Sequence, residues 1–247
     1  MISDLNSHPQ DLKRRLVVAN RILYANGIVD AFGHVSHRHI DRQDSFVMSR
    51  SLAPRLVTEA DIQEIDFAGN VVGGADGSPY LERFIHAGIY ERRPDVMSIV
   101  HSHSDCVIPY GISRSARLKP VFHMAGFLCT EVPVFEIRDL LGPASDLLVK
   151  DLETGRQLAQ SLGDAVVVLM RGHGSTAVGR SLEEAVFHAV YTEKNARIQT
   201  AAQLLDPVTY LTTDEAAAAA AINSGQINRA YSLWEMEISE SVFSQSK

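Results

Sequence analysis

The chain has 247 residues, a formal net charge of −7, 45% hydrophobic residues and 21% charged residues, as expected for a globular protein with a sizeable core. The acidic balance, without a basic patch among aromatic residues, argues against a nucleic-acid partner. No apolar stretch approaches the roughly 18 residues of a membrane span. The N-terminus, Met1 to Asp4, lacks the basic start and apolar run of a secretion signal. With only two cysteines, these features predict a cytoplasmic protein with no membrane partner and no disulfide framework.

The first third of the chain predicts one helix followed by short strands. Apolar residues recur at helical spacing from Leu12 to Leu23, and Gly27 is placed to end that helix. The segment 33–38 alternates after a glycine, and a short apolar run follows at 45–48, so both are predicted strands. Residues 65–72 surround a glycine-containing turn and predict a hairpin.

The remaining chain alternates helical and strand patterns. The predicted elements are helix 81–92, strand 97–102, a helix at about 104–112, an extended stretch around Pro133, helix 151–162 and strand 165–170. A capping box over 181–184 begins a long helix to about 205, and the alanine run 216–221 predicts another. We expect residues 239–247 to be loosely held. This order predicts an α/β layered fold with a mixed or largely antiparallel central sheet flanked by helices.

The segment from Ser98 to His103 carries the strongest chemical signal. Residues i and i+2 of an extended segment point to the same side, so His101 and His103 can reach one ion. His173 follows a second apolar run, and Glu82 opens a predicted helix. Three imidazoles and a carboxylate form a site for a divalent metal with a position open to substrate. Taken singly, the histidine pair equally fits a polar strand end, and Glu82 a residue that favours the helix dipole.

The order of these motifs resembles the class II aldolase/adducin family over roughly residues 10–205. The matching motifs are Gly33-His34-Val35-Ser36, Ser49-Arg50-Ser51, Glu82, Arg93-Pro94-Asp95-Val96 leading to His101-Ser102-His103, and His173-Gly174. The resemblance implies a single domain over 1–247, with a helical extension at 206–247, and a central mostly antiparallel sheet between helices. It also implies tetramers with active sites near subunit interfaces, metal ligation by the three histidines, and Glu82 as an acid/base that can also contact the metal.

Two loops depart from the sugar-phosphate aldolases of that family. Those enzymes usually carry Asn after the first glycine and a Thr/Ser-Gly pair at the second loop, which suit a phosphate. Here the first loop has His34, and the second has Arg50, whose guanidinium can grip a planar carboxylate. Tyr80 and Leu81 add a ring and an aliphatic side chain beside Glu82. We therefore expect a flat, anionic small-molecule substrate with a carboxylate rather than a phosphate.

Decarboxylases of the family act on hydroxylated aromatic dicarboxylates, such as dihydroxyphthalate or a hydroxypyridine dicarboxylate. The resemblance therefore predicts a carbon–carbon lyase, a metal-dependent decarboxylase of such an aromatic or heteroaromatic acid, acting through a metal-stabilised enolate. The expected cofactor is one divalent ion per subunit, Zn²⁺ or Mn²⁺, while Fe²⁺ and Co²⁺ also suit these ligands. The alternatives are a class II sugar-phosphate aldolase or epimerase, and a non-catalytic adducin-like interaction domain, which should lack the metal ligands.

Specific roles follow from this hypothesis. The expected catalytic residues are Glu82, His34 and Tyr191, with proton transfer left open between Glu82 and His34. The expected substrate-binding residues are Ser36, Ser49, Arg50, Ser51, Tyr80 and His123. Tyr191 belongs to a polar set on the long helix that equally fits a solvated or subunit-facing surface. His123 lies among apolar residues and equally fits a core or interface histidine.

Overall fold

The computed structural model describes residues 9–74 and 76–244 of the chain. Within these residues, eight strands build one sheet: β1 His34–Arg38, β2 Ser45–Ser49, β3 Ile62–Asp66, β4 Val71–Val72, β5 Ser98–Ser102, β6 Val134–Phe135, β7 Val167–Met170 and β8 Gly174–Gly179. The strand order is β4-β3-β2-β1-β5-β8-β7-β6. Neighbours pair antiparallel except β6 and β7, which run parallel. The predicted mostly antiparallel sheet is confirmed.

Helices cover both faces of the sheet. Their bounds are α1 Pro9–Ala25, α2 Arg83–Arg92, α3 Ile108–Ile112, α4 Arg138–Leu141, α5 Leu152–Leu162, α6 Leu182–Gln203, α7 Thr213–Ser224 and α8 Ile227–Ser244. Short 3-10 turns occupy Pro54–Leu56, Glu59–Asp61 and His123–Leu128. Among residues 9–74 and 76–244, no helix combines the length and apolar character needed to cross a bilayer.

Strand alternation divides the core into two layers. Val35 and Val100 face α1, α6 and α8, whereas Phe46 and Ile99 face α2 and α5. Since successive side chains of a strand point to opposite faces, His34 and His101 share the α2 side of the sheet. His34 and His101 therefore lie on the side of the sheet that α2 covers.

Two glycines let α2 and α5 cross at backbone contact. A Cβ on Gly88 would lie 2.3 Å from the carbonyl carbon of Gly155, and a Cβ on Gly155 would lie 2.1 Å from the carbonyl oxygen of Phe84. Both glycines lie in helices and have ordinary helical backbone conformations. Glycine is needed at these two positions because the backbones of α2 and α5 approach too closely for a side chain. This crossing fixes the position of α2, and with it the residue that precedes α2, Glu82.

Gly88→Ala should therefore lower the free energy of unfolding by about 3 kcal/mol, because rigid backbone must move to admit the methyl group. Urea unfolding measures the change. Gly225→Ala is the matched control, since its Cβ would meet only the Ile222 carbonyl at 3.6 Å. Its effect should stay within about 0.5 kcal/mol. Equal stabilities for the two variants would contradict the close crossing.

The sequence analysis missed one central strand and placed some ends wrongly. β8 was not predicted, because Gly174 to Gly179 has small residues and little apolar pattern. It is a strand because it pairs with β5 and β7. The helix expected at about 104–112 begins only at Ile108. The tail expected to be loosely held from 239 is helical to Ser244, and residues 245–247 lie outside the described residues.

Candidate metal centre and catalytic cavity

Three parts of the fold bring the predicted ligands together. His101 lies in β5 and His103 immediately after it, while the tight turn between β7 and β8 carries His173. β5 is held between β1 and β8, where His101 pairs with His34 on one side and Thr176 on the other. Glu82 precedes the first residue of α2. The site thus forms where the C-terminal end of the central strand β5 meets the start of α2.

The four ligand groups converge within one coordination sphere. The nearest ligand atoms of Glu82, His101, His103 and His173 all lie within 4.8 Å of one another. The Nε2 atom of His103 is 3.2 Å from Nε2 of His101 and 3.0 Å from Nε2 of His173. Oε2 of Glu82 lies 3.3 Å from Nε2 of His173 and 3.8 Å from Nε2 of His101.

Neighbouring groups orient these ligands. The Nδ1–H of His173 donates to the Leu147 carbonyl at 3.0 Å, which leaves Nε2 with its lone pair toward the cluster. Oε1 of Glu82 accepts the backbone N–H of Val149 at 3.2 Å. Leu147 has a φ of 68°, a region that side chains other than glycine rarely adopt. The segment 147–149 therefore holds two ligands at a cost in backbone strain, as is common at functional sites.

The donor chemistry fits a divalent metal. Burial, followed by the neighbouring imidazoles, lowers the pKa of His101 well below its usual value, and burial also lowers the pKa of His103. Neutral imidazoles offer the lone pairs that metal ions require. Three imidazole nitrogens and one carboxylate oxygen match the donors of catalytic zinc sites and also accept other first-row ions. Glu82, His101, His103 and His173 therefore form a site able to hold a divalent ion.

A cavity of about 770 Å³ opens beside the ligands. Its walls are mostly apolar, with the lining residues Ala31, Phe32, Gly33, His34, Ser51, Leu52, Ala53, Tyr80, Leu81, Glu82, His101, His103 and Leu148. Among the described residues that line it, there is no arginine and no lysine. The cavity therefore suits an apolar body with polar groups at the end nearest the ligands.

His34 lies between the cavity and a buried polar cluster. Its ring is 5.0 Å from the ring of His101 and 4.6 Å from the ring of Tyr80, measured between centroids. Its Nδ1 is 2.6 Å from Nε2 of His86, whose Nδ1 is 2.6 Å from Oγ of Ser36. Burial, followed by the neighbouring imidazoles, lowers the pKa of His34 well below its usual value. Burial also lowers the pKa of His86 to about 3, so both rings are neutral.

His86 and Tyr90 were missed as members of the site. Glu82, His86 and Tyr90 recur every four residues, which places them on one face of α2. That face lies against the β1 residues His34 and Ser36. The repeat was visible in the sequence, but the packing of α2 against β1 was not.

Three expected substrate contacts are not among the residues that line the cavity. Ser36 is fully buried and bonded to His86 and Tyr90, so it cannot reach a ligand in the cavity. Ser49 is buried and lies behind Tyr80, with its Oγ 3.4 Å from the Tyr80 hydroxyl. Arg50 donates from Nε to the Asp61 carboxylate at 2.6 Å and does not line the cavity. The carboxylate grip by Arg50 stays a prediction, since Asp61 holds only Nε and the Arg50 side chain is 39% exposed.

Two expected contacts do line the cavity. Ser51 is exposed at its wall. Tyr80 contributes its ring, while its hydroxyl donates to the Leu52 carbonyl. Burial raises the pKa of Tyr80, so it remains a neutral phenol. Ser51 and Tyr80 remain candidates for substrate binding.

Tyr191 and His123 lie away from this cavity within one chain. The Tyr191 ring packs 4.3 Å from the ring of Phe187, with the Lys194 amine 4.8 Å from its centroid. His123 is exposed in the 3-10 turn beside α7. Neither residue lines the cavity, and the roles expected for them stay predictions.

Comparison with known proteins agrees with this fold. The family model described as Class II Aldolase and Adducin N-terminal domain matches residues 14–200. Decarboxylase tropJ of Talaromyces stipitatus is 39% identical over 237 residues, 91% of this chain and 85% of that protein. The 3,4-dihydroxyphthalate decarboxylase of Terrabacter sp. is 31% identical over 199 residues, 75% of this chain and 79% of that protein. The structure of L-fuculose 1-phosphate aldolase from Glaciozyma antarctica has a TM-score of 0.78 at 23% identity, covering 97% and 94% of the two chains.

The layered fold is that of the class II aldolases, and the aldolase structure, at 23% identity, supports the fold alone. The chain belongs to the class II aldolase and adducin family, as the resemblance of its motifs implied. Its relatives include named decarboxylases, which confirms the predicted class of carbon–carbon lyase.

His103→Ala should weaken Zn²⁺ affinity by more than about a hundredfold, since loss of a direct ligand exceeds the effect of losing an orienting partner. Competition with a chromophoric chelator gives the affinity, and elemental analysis gives the stoichiometry. His39→Gln is the control, because His39 lies outside the cluster. Equal zinc affinity for wild type and His103→Ala would contradict the assigned site.

Proposed function

We propose that this protein is a metal-dependent decarboxylase of a hydroxylated aromatic or heteroaromatic acid, with a dicarboxylate such as 3,4-dihydroxyphthalate as the first candidate. The observation that carries the proposal is the mostly apolar cavity, with no arginine or lysine among its described lining residues, that ends on the metal-ligand cluster. The named activities of the relatives at 39% and 31% identity support the same choice. The proposed ion is Zn²⁺ or Mn²⁺, held by the three histidines and contacted by Glu82 when no substrate is bound.

A divalent metal bound there would supply a Lewis acid for negative charge on a substrate oxygen. The Glu82 carboxylate accepts the proton of the ring hydroxyl and delivers it to the ring carbon that bears the leaving carboxylate. The bond between that carbon and the carboxylate then breaks, its electron pair returns to the ring, and carbon dioxide leaves. The organic product is a phenolate, which takes a proton from solvent.

The cavity walls hold the substrate ring. Phe32, Leu52 and Leu81 offer apolar surface to a flat ring, and Tyr80 packs beside His34. Ser51 offers a hydroxyl to a substrate carboxylate. A second carboxylate meets no cationic side chain among the described lining residues, so its recognition depends on neutral donors.

The ligand set also serves retro-aldol cleavage, so a sugar-phosphate aldolase or epimerase is the alternative. Phosphate is commonly bound by cationic side chains or by backbone N–H groups at a helix N-terminus. The described lining lacks the former, and apolar side chains occupy most of the wall. A non-catalytic adducin-like role is disfavoured because the four ligands are present and converge.

The purified protein, loaded with Zn²⁺ or Mn²⁺, should release carbon dioxide from 3,4-dihydroxyphthalate or another hydroxylated aromatic acid of a defined panel. L-fuculose 1-phosphate tests the alternative aldolase activity, and we expect that the protein does not cleave it. Coupled detection of carbon dioxide and chromatography of the aromatic product measure the reaction. Cleavage of the sugar phosphate without decarboxylation across the panel would overturn the proposal.

Glu82→Gln should reduce kcat by between about a hundredfold and ten-thousandfold, because the amide cannot carry the moving proton. The isosteric side chain keeps an acceptor for the Val149 N–H, and the three histidines remain to bind metal. Glu91→Gln, on the exposed end of α2, is the control and should retain wild-type turnover. Full activity in metal-loaded Glu82→Gln would exclude Glu82 as the proton carrier.

We also propose a homotetramer, as the family resemblance implies. Large apolar side chains lie exposed on the outer helices, with Leu204 and Leu205 at the end of α6 and Ile222 in α7. Light scattering coupled to size-exclusion chromatography should give a mass four times that of the chain. A monomeric mass at assay concentration would contradict this assembly.

A further inference from the structure

Four side chains form a continuous hydrogen-bonded series from the cavity into the core. His34 contacts His86, His86 contacts Ser36, and Oγ of Ser36 lies 2.7 Å from the hydroxyl of Tyr90. All four residues are at most 4% exposed. Since these groups are shielded from water, the hydrogen atoms must be distributed among them in a consistent order.

The inner end of the series sets that order. The Tyr90 hydroxyl can donate to Ser36 at 2.7 Å or to the Met97 carbonyl at 3.4 Å. The distance to the Met97 carbonyl is long for an O–H···O bond, and that carbonyl already accepts the backbone N–H of Arg38 at 2.8 Å. The Tyr90 ring is also fixed, because the Arg38 guanidinium stacks 4.8 Å from its centroid. Tyr90 therefore donates to Ser36.

The remaining hydrogens follow from this choice. Ser36 receives the Tyr90 hydrogen and directs its own toward Nδ1 of His86, which must then be the unprotonated nitrogen. The proton of neutral His86 lies on Nε2 and is donated to Nδ1 of His34. The proton of neutral His34 consequently lies on Nε2. This Nε2 atom of His34 has no hydrogen-bond partner among the described residues, and the His34 side chain lines the cavity.

We propose that the Tyr90–Ser36–His86 series holds His34 as a neutral Nε2–H donor aimed at a substrate oxygen, and that His34 does not carry the moving proton. This inference rests on the proposed function and assigns roles within it. His34 is the substrate-contacting residue, and His86, Ser36 and Tyr90 are positioning residues.

The closed inner end explains why His34 keeps its proton. If His34 gave up its Nε2 proton, the series could replace it only by drawing hydrogens outward from Tyr90. That transfer would leave Tyr90 as a phenolate. Tyr90 is about 1% exposed, and no unpaired hydrogen-bond donor lies beside its oxygen among the described residues. A fixed donor can instead stabilise charge on an oxygen without any proton transfer, as in oxyanion sites. The moving proton is thereby assigned to Glu82.

The first test reads the tautomer directly and needs no substrate. Long-range proton–nitrogen correlation spectra of the Zn²⁺-loaded protein with isotope-labelled histidine should show His34 protonated at Nε2, assigned by loss of its signals in His34→Gln. Tyr90→Phe removes the innermost donor, so the Nδ1–H form of His34 should gain population. Tyr110→Phe is the matched control, since it removes another buried hydroxyl, bonded to Thr200 far along α6. Wild-type His34 protonated at Nδ1, or no change in Tyr90→Phe, would overturn the proposal.

The second test uses turnover of 3,4-dihydroxyphthalate. His34→Gln retains an N–H donor and should keep kcat within about tenfold of wild type, whereas His34→Phe should lose about a hundredfold or more. Tyr90→Phe should lower kcat about fivefold with little change in KM, and Tyr110→Phe should change neither. Equal loss in His34→Gln and His34→Phe would make His34 the proton carrier. Absence of turnover in the wild type would count against the proposed substrate, while the tautomer spectra would still decide the role of His34.

Discussion

The whole site depends on bringing three imidazole nitrogens and one carboxylate oxygen within 4.8 Å of one another. Strand pairing supplies two of the four positions, because β5 is locked between β1 and β8. The turn into β8 supplies the third, and the start of α2 supplies the fourth. Each of these positions is set by backbone contacts some distance from the ligands. The clearest example is the glycine crossing of α2 and α5, which leaves no space for a side chain.

The ligand residues could be predicted from the sequence because their signals are local. A histidine pair at i and i+2 of a strand, and a carboxylate at a helix start, carry their geometry in their spacing. The substrate contacts could not be predicted in the same way. Arg50 lies in the expected loop, but its direction is decided by Asp61, which is eleven residues later on a different turn. Ser36 alternates onto the same face as His34, yet α2 covers it.

The fold shows the same division between local and distant information. Amphipathic helices such as α1 and α5 were predicted close to their observed ends, because their apolar spacing is internal. β8 was missed because its six small residues become a strand only through two neighbours. Gly174 and Gly179 also fit tightly, since a Cβ would lie 2.1 Å from the Ser102 carbonyl and 2.4 Å from the Ala185 nitrogen. These two positions admit only glycine because of packing against other segments, and that packing cannot be read from the sequence of β8 alone.

The lack of arginine and lysine among the described lining residues of the cavity has a consequence for the binding of an anion. The chain carries a formal net charge of −7, and Glu82 adds a carboxylate at the cavity floor. An organic anion entering the empty pocket of the free protein meets repulsion and no compensating cation on the described walls. A divalent cation at the ligand cluster would reverse the local sign of the field. Binding of the proposed acid would then be thermodynamically linked to binding of the metal, so chelation should release both.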